Sequence, residues 1–161
     1  MDIFLTDNPA TVNINDFKVN EAVFGGLYSN IVQSFNLSAS GQVEQLQQNN
    51  AMPSFKIDQN QNELQIYIPG EYEINYMIRI APVAALGQTI SAGVRQNGSF
   101  IESTMQFSPL STTEYTILQG SVIEFLSGQI DLAFQSTGAA TFNLGMLTNA
   151  TLSVERLTPF P

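Results

Sequence analysis

The stretch Tyr72-Glu73-Ile74-Asn75-Tyr76-Met77-Ile78-Arg79-Ile80 decides the fold class. Its even positions are all apolar or aromatic and its odd positions are mostly polar. Successive side chains on a strand point to opposite faces, so this pattern describes a strand with one buried and one less buried face. The same period of two recurs outward in both directions. Upstream it is carried by Ser34–Ser38, Phe55–Asp58 and Leu64–Ile68. Downstream it continues through Ile90–Arg95, Phe100–Phe107, Tyr115–Leu118, Val122–Leu126, Ile130–Phe134, the weaker Phe142–Met146, and Ala150–Leu157. Turn signals separate the runs. Asn97-Gly98 supplies the two positive-φ positions of a tight hairpin, Gln119-Gly120-Ser121 and Gly128 read as further turns, and Pro109 breaks the pattern. No stretch shows a long, capped 3.6-residue apolar period; residues 40–50 read as a polar loop with a short strand. About ten short strands imply an all-β antiparallel two-sheet sandwich of the jelly-roll type. The expected core is Tyr72, Ile74, Tyr76 and Ile78, joined by Ile123, Phe125, Leu152 and Val154. Residues 1–20, with at most one short strand at Thr11–Asn15, read as an N-terminal arm, and residues 21–161 as one domain.

Composition narrows the chemistry. The chain has 161 residues, enough for one core without staples. Only 12% of residues are charged, so the surface meets water mainly through amides and hydroxyls. Fourteen acids against five bases give a net charge of -9, which disfavours nucleic acid and anionic lipid as partners. His, Cys and Trp are absent. A disulfide framework, a thiolate zinc site, a Cys nucleophile, a Ser-His-Asp triad and the His cage of a cupin are therefore all excluded. No cofactor is expected. No run reaches the roughly 18 apolar residues of a membrane span, and the N-terminus lacks the basic and apolar regions of a signal peptide.

Several motifs together resemble a known family. Gly70-Glu71-Tyr72-Glu73-Ile74-Asn75-Tyr76 is similar to the Gly-x-Tyr-x-x-x-Tyr strand of the tumour-necrosis-factor/complement-q-like jelly rolls. Arg95-Gln96-Asn97-Gly98, Ile117-Leu118-Gln119-Gly120-Ser121 and Ala150–Leu157 resemble that group's mid-chain hairpin, Leu-x-x-Gly turn and closing strand. Phe24-Gly25-Gly26-Leu27-Tyr28 and Ala51-Met52-Pro53-Ser54 resemble its bacterial branch, the C-terminal domain of the collagen-like exosporium glycoprotein (BclA) family of Bacillus spores and clostridial relatives. The resemblance covers roughly residues 21–158; the collagen-like stalk of that family has no counterpart in residues 1–20. It implies a ten-stranded jelly roll that assembles as a homotrimer. It also implies axis-side positions at Glu73, Asn75 and Met77, with Tyr115, Ile117, Ser153 and Glu155 as further candidates. Three copies of Glu73 near an axis would repel, so Arg79 or Arg156 is expected within reach. The function implied is a non-enzymatic structural head displayed on a spore surface, touching other spore-coat proteins or host surface molecules. The alternative is the receptor- or glycan-binding tip of a phage fibre or bacterial adhesin, which calls for Tyr28, Phe100 or Phe107 exposed together.

Other groupings have competing readings. Asp58, Glu63, Glu71, Glu73 and Asp131 supply oxygen donors for a calcium ion, against the alternative of solvated charge. A carboxylate pair of the glycosidase kind is unavoidable among so many acids and lacks a Trp platform. Met77, Met105 and Met146 suit gap-filling core or interface positions. Asn36, Asn97 and Asn149 begin Asn-x-Ser/Thr triplets, frequent by chance in a chain this rich in Asn, Ser and Thr.

Overall fold

The computed structural model describes residues 22–157. The 1–20 arm, with its Thr11–Asn15 strand, lies outside the described residues. In chain order the strands are β1 (Phe24–Ser29), β2 (Ser34–Leu37), β3 (Val43–Gln45), β4 (Asn50–Ala51), β5 (Ile57–Asn60) and β6 (Glu63–Ile80). They continue as β7 (Thr89–Gln96), β8 (Ser99–Phe100), β9 (Gln106–Pro109), β10 (Thr116–Ser136), β11 (Ala140–Asn143) and β12 (Ala150–Arg156). All pairings between these strands are antiparallel.

Two long strands organise the rest. β6 is 18 residues long and β10 is 21. They pair from Thr116↔Ile80 to Leu126↔Gly70, and β12 and then β1 add on the other side of β6. Past the bulge the ladder with β6 resumes in shifted register from Gly128↔Ile66 to Ile130↔Leu64. From Ile130 to Ser136 β10 also pairs with Gln96–Ile90 of β7, and Ala133–Gln135 pair with β3 on the side that β6 has left. Its second half, Ile130 to Phe134, is buried at every position because both of its faces are covered. β2 and β11 form a separate pair that closes the second layer. They are held by an aromatic trio, Phe35, Phe134 and Phe142, whose ring centroids are 4.8–5.3 Å apart. Edge-to-face and offset contacts of this kind add to what area burial supplies.

Tyr72, Ile74, Tyr76, Ile78, Leu152 and Val154 all sit in the interior. Ile123 and Phe125 do not: they are 58% and 61% exposed. In the run Val122-Ile123-Glu124-Phe125-Leu126 both parities carry apolar residues, and Glu124 on the even parity suggests the opposite facing to the one observed. Its facing is set instead by register, since Leu118 and Leu126 are buried opposite Ile78 and Gly70. Even numbers on this part of β10 face inward and odd numbers outward.

The expected turns at Gln119-Gly120-Ser121 and Gly128 are also corrected, since both lie inside β10. Gly120 is opposite Tyr76, and a Cβ there would come within 2.7 Å of the Tyr76 ring. The glycine makes room for an aromatic neighbour rather than for a change of direction. Gly128 adopts φ 82° where the β6–β10 register shifts, so it marks a β-bulge. The Asn97-Gly98 hairpin (φ 51° and 85°) is fastened to this bulge. Asn97 accepts from the Gln129 N–H (2.9 Å) and donates to the Ser127 carbonyl (3.3 Å), and Gln96 accepts from the Ser127 N–H (2.8 Å). Across the bulge, the Tyr72 hydroxyl donates to the Ile68 carbonyl (2.6 Å) and Arg156 to that of Pro69 (3.1 Å). Pro69 itself falls in the stretch of β6 that skips the ladder, where its missing N–H costs nothing. The expected returning strand Phe100–Phe107 is broken by a 3₁₀ turn at Glu102–Thr104.

Amides do much of the internal bonding. Buried Gln33 donates to the Ser29 hydroxyl (3.0 Å) and the Gln47 carbonyl (2.8 Å), and accepts from the Gln47 N–H (2.8 Å). Buried Asn149 donates to the carbonyls of Ile31 (2.6 Å) and Gly145 (2.8 Å), tying two loops together.

Two predictions follow from buried polar groups. Arg95 and Asp131 form a bidentate pair at 2.7 Å, and Gln45 also donates to Asp131 at 2.8 Å. Asp131→Ala leaves the guanidinium largely enclosed and unpaired, at an expected cost of about 2–3 kcal/mol in urea unfolding, with a smaller loss for Asp131→Asn. The Tyr76 phenol donates to the Thr104 carbonyl, and burial pushes its pKa from 10.0 up to about 12. Above pH 10 the folded chain holds a proton that the unfolded chain has lost. This contribution is therefore complete below pH 10 and disappears as pH rises toward 12. Unfolding free energies measured from pH 9 to 12 should fall through that window, and Tyr76→Phe should flatten part of the slope.

Candidate interaction face

The outward side of β1, β12, β6 and β10 is one continuous surface whose rows are fixed by register. At one end lies the row Phe24–Glu155–Glu73–Ile123, followed by Gly26–Ser153–Asn75–Ser121 and Tyr28–Thr151–Met77–Gln119. Farther along, Arg79 is opposite Ile117; beyond the first row in the other direction, Glu71 is opposite Phe125. Glu73, Asn75, Ser153 and Glu155 thus form a compact block, with Met77 one row away. Ile117 and Tyr115 lie at the far end of the same face, about 20 Å from Glu73 at strand spacing.

Along β10 the outward residues are Ile117, Gln119, Ser121, Ile123 and Phe125, apolar at the two ends and polar in the middle. Ile117, Ile123 and Phe125 are each more than half exposed. Ile123 and Phe125 stand on successive outward positions and make a contiguous exposed pair, while Ile117 stands apart toward the other end of the strand. Between the two ends of the face the residues are uncharged. An open depression of about 610 Å³ is lined by Met52, Asn75, Met77, Gln119, Ser121, Thr151 and Ser153, with Tyr76 and Gly120 contributing to it. A second, of about 350 Å³, continues from it toward Phe24, Pro53 and Glu155. Gly26 allows this hollow, since a Cβ there would fall 2.6 Å from the Met52 sulfur. The one titratable group lining the larger depression is Tyr76, whose phenol stays protonated far above neutrality. The lining therefore offers hydrogen bonds and apolar contact but no acid–base pair.

Glu73 and Glu155 are directly opposite in the ladder, an unfavourable like-charge placement. Glu73 accepts from the Asn75 amide at 2.9 Å. Neither arginine expected nearby fills that role within the protomer. Arg79 projects on the same face at the other end, with its guanidinium 3.9 Å from the Tyr115 ring centroid and donating to the Met146 carbonyl at 2.9 Å. Arg156 points to the opposite side of β12, toward Gly70 and the Pro69 carbonyl.

The acids proposed for calcium are dispersed. Asp131 is engaged by Arg95 and Gln45, Asp58 accepts from the Tyr67 hydroxyl at 2.9 Å, and among the described residues no cluster of three or more His, Cys, Asp or Glu forms. The aromatics of the receptor-tip reading are separated: Tyr28 is on β1, whereas Phe100 and Phe107 are on β8 and β9, at the other edge of the strand order. Asn97 is a fastened turn and Asn149 is fully buried with both amide hydrogens used, so neither offers a free side chain for modification. Met77 borders the hollow and Met105 lies over Gly93, while Met146 is exposed beside Leu147, itself held at φ 66°. The exposed pair and the hollow escape sequence reading because the hollow draws on the segment Ala51-Met52, brought in by the pairing of β4 with β1.

No family model matches this sequence, and no curated protein matches it. Solved structures do. Murine APRIL aligns with a TM-score of 0.59 at 10% identity, covering 85% of this chain and 100% of that chain. Eiger TNF from S. frugiperda gives 0.58 at 10% identity, covering 87% and 95%. The PRD1 vertex protein P5 gives 0.54 at 10% identity, covering 85% and 73%. Likeness at this identity speaks of architecture alone, and on that ground the chain has a TNF-like jelly-roll fold.

Proposed function

We propose that this chain is a non-enzymatic display module that assembles as a homotrimer through its outer β1–β12–β6–β10 face and stands on a bacterial spore surface. The observation that carries the trimer is the exposed apolar pair Ile123 and Phe125, with Ile117 farther along β10, on a sheet face whose middle is lined by uncharged side chains. A ring of three copies covers these side chains once per protomer and closes without leaving an open end. The TNF-like fold is one in which trimers are common, and the motif resemblance to the exosporium heads supports the spore surface as its setting. A low charge density, no Cys and an amide-bonded interior suit a protein that must persist with little dependence on pH or redox state.

A second reading, a binding tip on a phage fibre or adhesin, is favoured by a different feature. Met146 and Leu147 stand exposed in the loop before β12, at the opposite pole from the point where the chain enters β1. The likeness to the PRD1 vertex protein is compatible with that role.

Light scattering should give close to three times the 17.6 kDa chain mass. Ile123→Asp combined with Phe125→Asp should give monomers with an unchanged β circular dichroism spectrum, because both side chains are outside the core. A monomeric parent protein would remove the trimer reading. Loss of cell or glycan binding on Leu147→Ser, with the trimer intact, would favour the tip reading.

A further inference from the structure

Four loops meet at the pole of the molecule where β1 and β6 end and β10 and β12 begin: residues 30–33, 81–88, 110–115 and 144–149. Backbone hydrogen bonds fasten them to one another. The Leu144 N–H donates to the Gln33 carbonyl (2.9 Å), that of Val83 to Ser111 (2.9 Å) and that of Leu110 to Gln88 (2.9 Å), while Gly145 is tied to Arg79 at the end of β6 (2.8 Å). Val32, Leu86, Tyr115, Met146 and Leu147 stand exposed on this platform, Leu86 and Leu147 most of all at 84% and 76%. We infer that the pole dips these apolar tips into the surface of a bilayer with zwitterionic headgroups. The inference goes beyond the trimer and requires no assembly.

Three observations select lipid. The first is how the backbone of the tips is satisfied. In each loop a side chain of the pole itself takes up polar groups of the turn. Gln88 donates to the Ala85 carbonyl (3.0 Å), Arg79 to that of Met146 (2.9 Å) and Asn149 to that of Ile31 (2.6 Å). The Ser111 hydroxyl accepts from the N–H groups of Thr113 (3.1 Å) and Glu114 (3.0 Å). A protein partner supplies hydrogen bonds from its own surface; hydrocarbon supplies none, so a segment that enters lipid has to bring its bonds with it.

The second is charge. Glu114 is the one charged residue within the four loops, in a chain of net charge -9. Arg79 beside them is already engaged by the Tyr115 ring and the Met146 carbonyl. Among the described residues the pole therefore offers no spare base to an anionic headgroup, and the acids on the rest of the chain are repelled by an anionic membrane but not by a zwitterionic one. The third is shape. Leu86, Tyr115, Met146 and Leu147 line neither depression of the outer face; they project from three separate loops. Separate tips suit a fluid medium, whereas a protein interface needs matched surfaces packed as densely as an interior. Tyr115, with Ser111, Thr112 and Thr113 in its own loop, adds the amphipathic ring and hydroxyls that sit at headgroup level.

Flotation of the full-length chain with vesicles tests this. The chain is expected to float with phosphatidylcholine vesicles and to bind more weakly, at low salt, when phosphatidylserine replaces part of the lipid. Leu86→Ser combined with Leu147→Ser should weaken binding to phosphatidylcholine about tenfold or more, with an unchanged circular dichroism spectrum because both side chains lie outside the core. No flotation with phosphatidylcholine, binding that grows with phosphatidylserine, or full binding by the double variant overturns the inference. If the chain ignores vesicles yet binds cells or a glycan through Leu147, the tip reading stands and this inference alone falls; loss of that cell binding on protease treatment of the cells then assigns the pole to a protein. A monomeric parent that floats removes the trimer reading and leaves this one.

Discussion

The ladder between β6 and β10 is the constraint on which the other features depend. Eleven consecutive residue pairs, from Thr116↔Ile80 to Leu126↔Gly70, lock the two strands in antiparallel register. Because side chains alternate, fixing one pair fixes the facing of all the others; a slip of one residue would turn Ile74, Tyr76 and Ile78 out and Glu73, Asn75 and Met77 in. The pairing of β12 with β6 transmits the same parity to Leu152 and Val154, and β1 inherits it in turn. The bulge at Gly128 is where this register shifts before the β6–β10 ladder resumes and ends at Ile130↔Leu64. β10 can then serve the second layer, and Asn97, Gln96, Tyr72 and Arg156 supply the hydrogen bonds that the interrupted ladder leaves open.

Much of this was legible in the sequence, and what was not has physical causes. The run from Tyr72 to Ile80 showed its own facing because its two parities differ in polarity. The run from Val122 to Leu126 does not, since both parities carry apolar residues and Glu124 points to the wrong one, and Ile123 and Phe125 can be placed only from their partners on β6. Glycine was read through its usual association with turns. Gly120 answers instead to the bulk of Tyr76 across the ladder, a requirement invisible until the two are known to be opposite. The joining of three apparent strands into one β10 follows from the same misreading. On the outer face, Glu73 and Glu155 are 82 positions apart in sequence and adjacent in space. Their opposition, the exposed pair and the hollow are products of register rather than of any local motif.

The face so produced combines features that seldom suit open water. Three large apolar side chains stand proud of it, two carboxylates oppose one another at its end, and a neutral groove crosses its middle. The interior beneath needs none of these, since its core is complete without Ile117, Ile123 or Phe125. The homotrimer proposed for this chain accounts for their placement. The groove lining offers hydrogen bonds and thioether contact, while its phenol remains protonated and tied to Thr104.

The Asn97-Gly98 hairpin has one more consequence, for chemical ageing. An asparagine followed by glycine is the dipeptide most prone to lose its amide nitrogen, because the small neighbour lets its own backbone nitrogen attack the side-chain carbon. Here both ends of that amide are held by β10, the oxygen by Gln129 and the nitrogen by Ser127. Cyclisation first requires those bonds to open. Deamidation, once it occurs, places a carboxylate where a donor faced the Ser127 carbonyl, so the damage loosens the bulge that joins the two layers. The ageing of this one amide is thus tied to the bulge in β10.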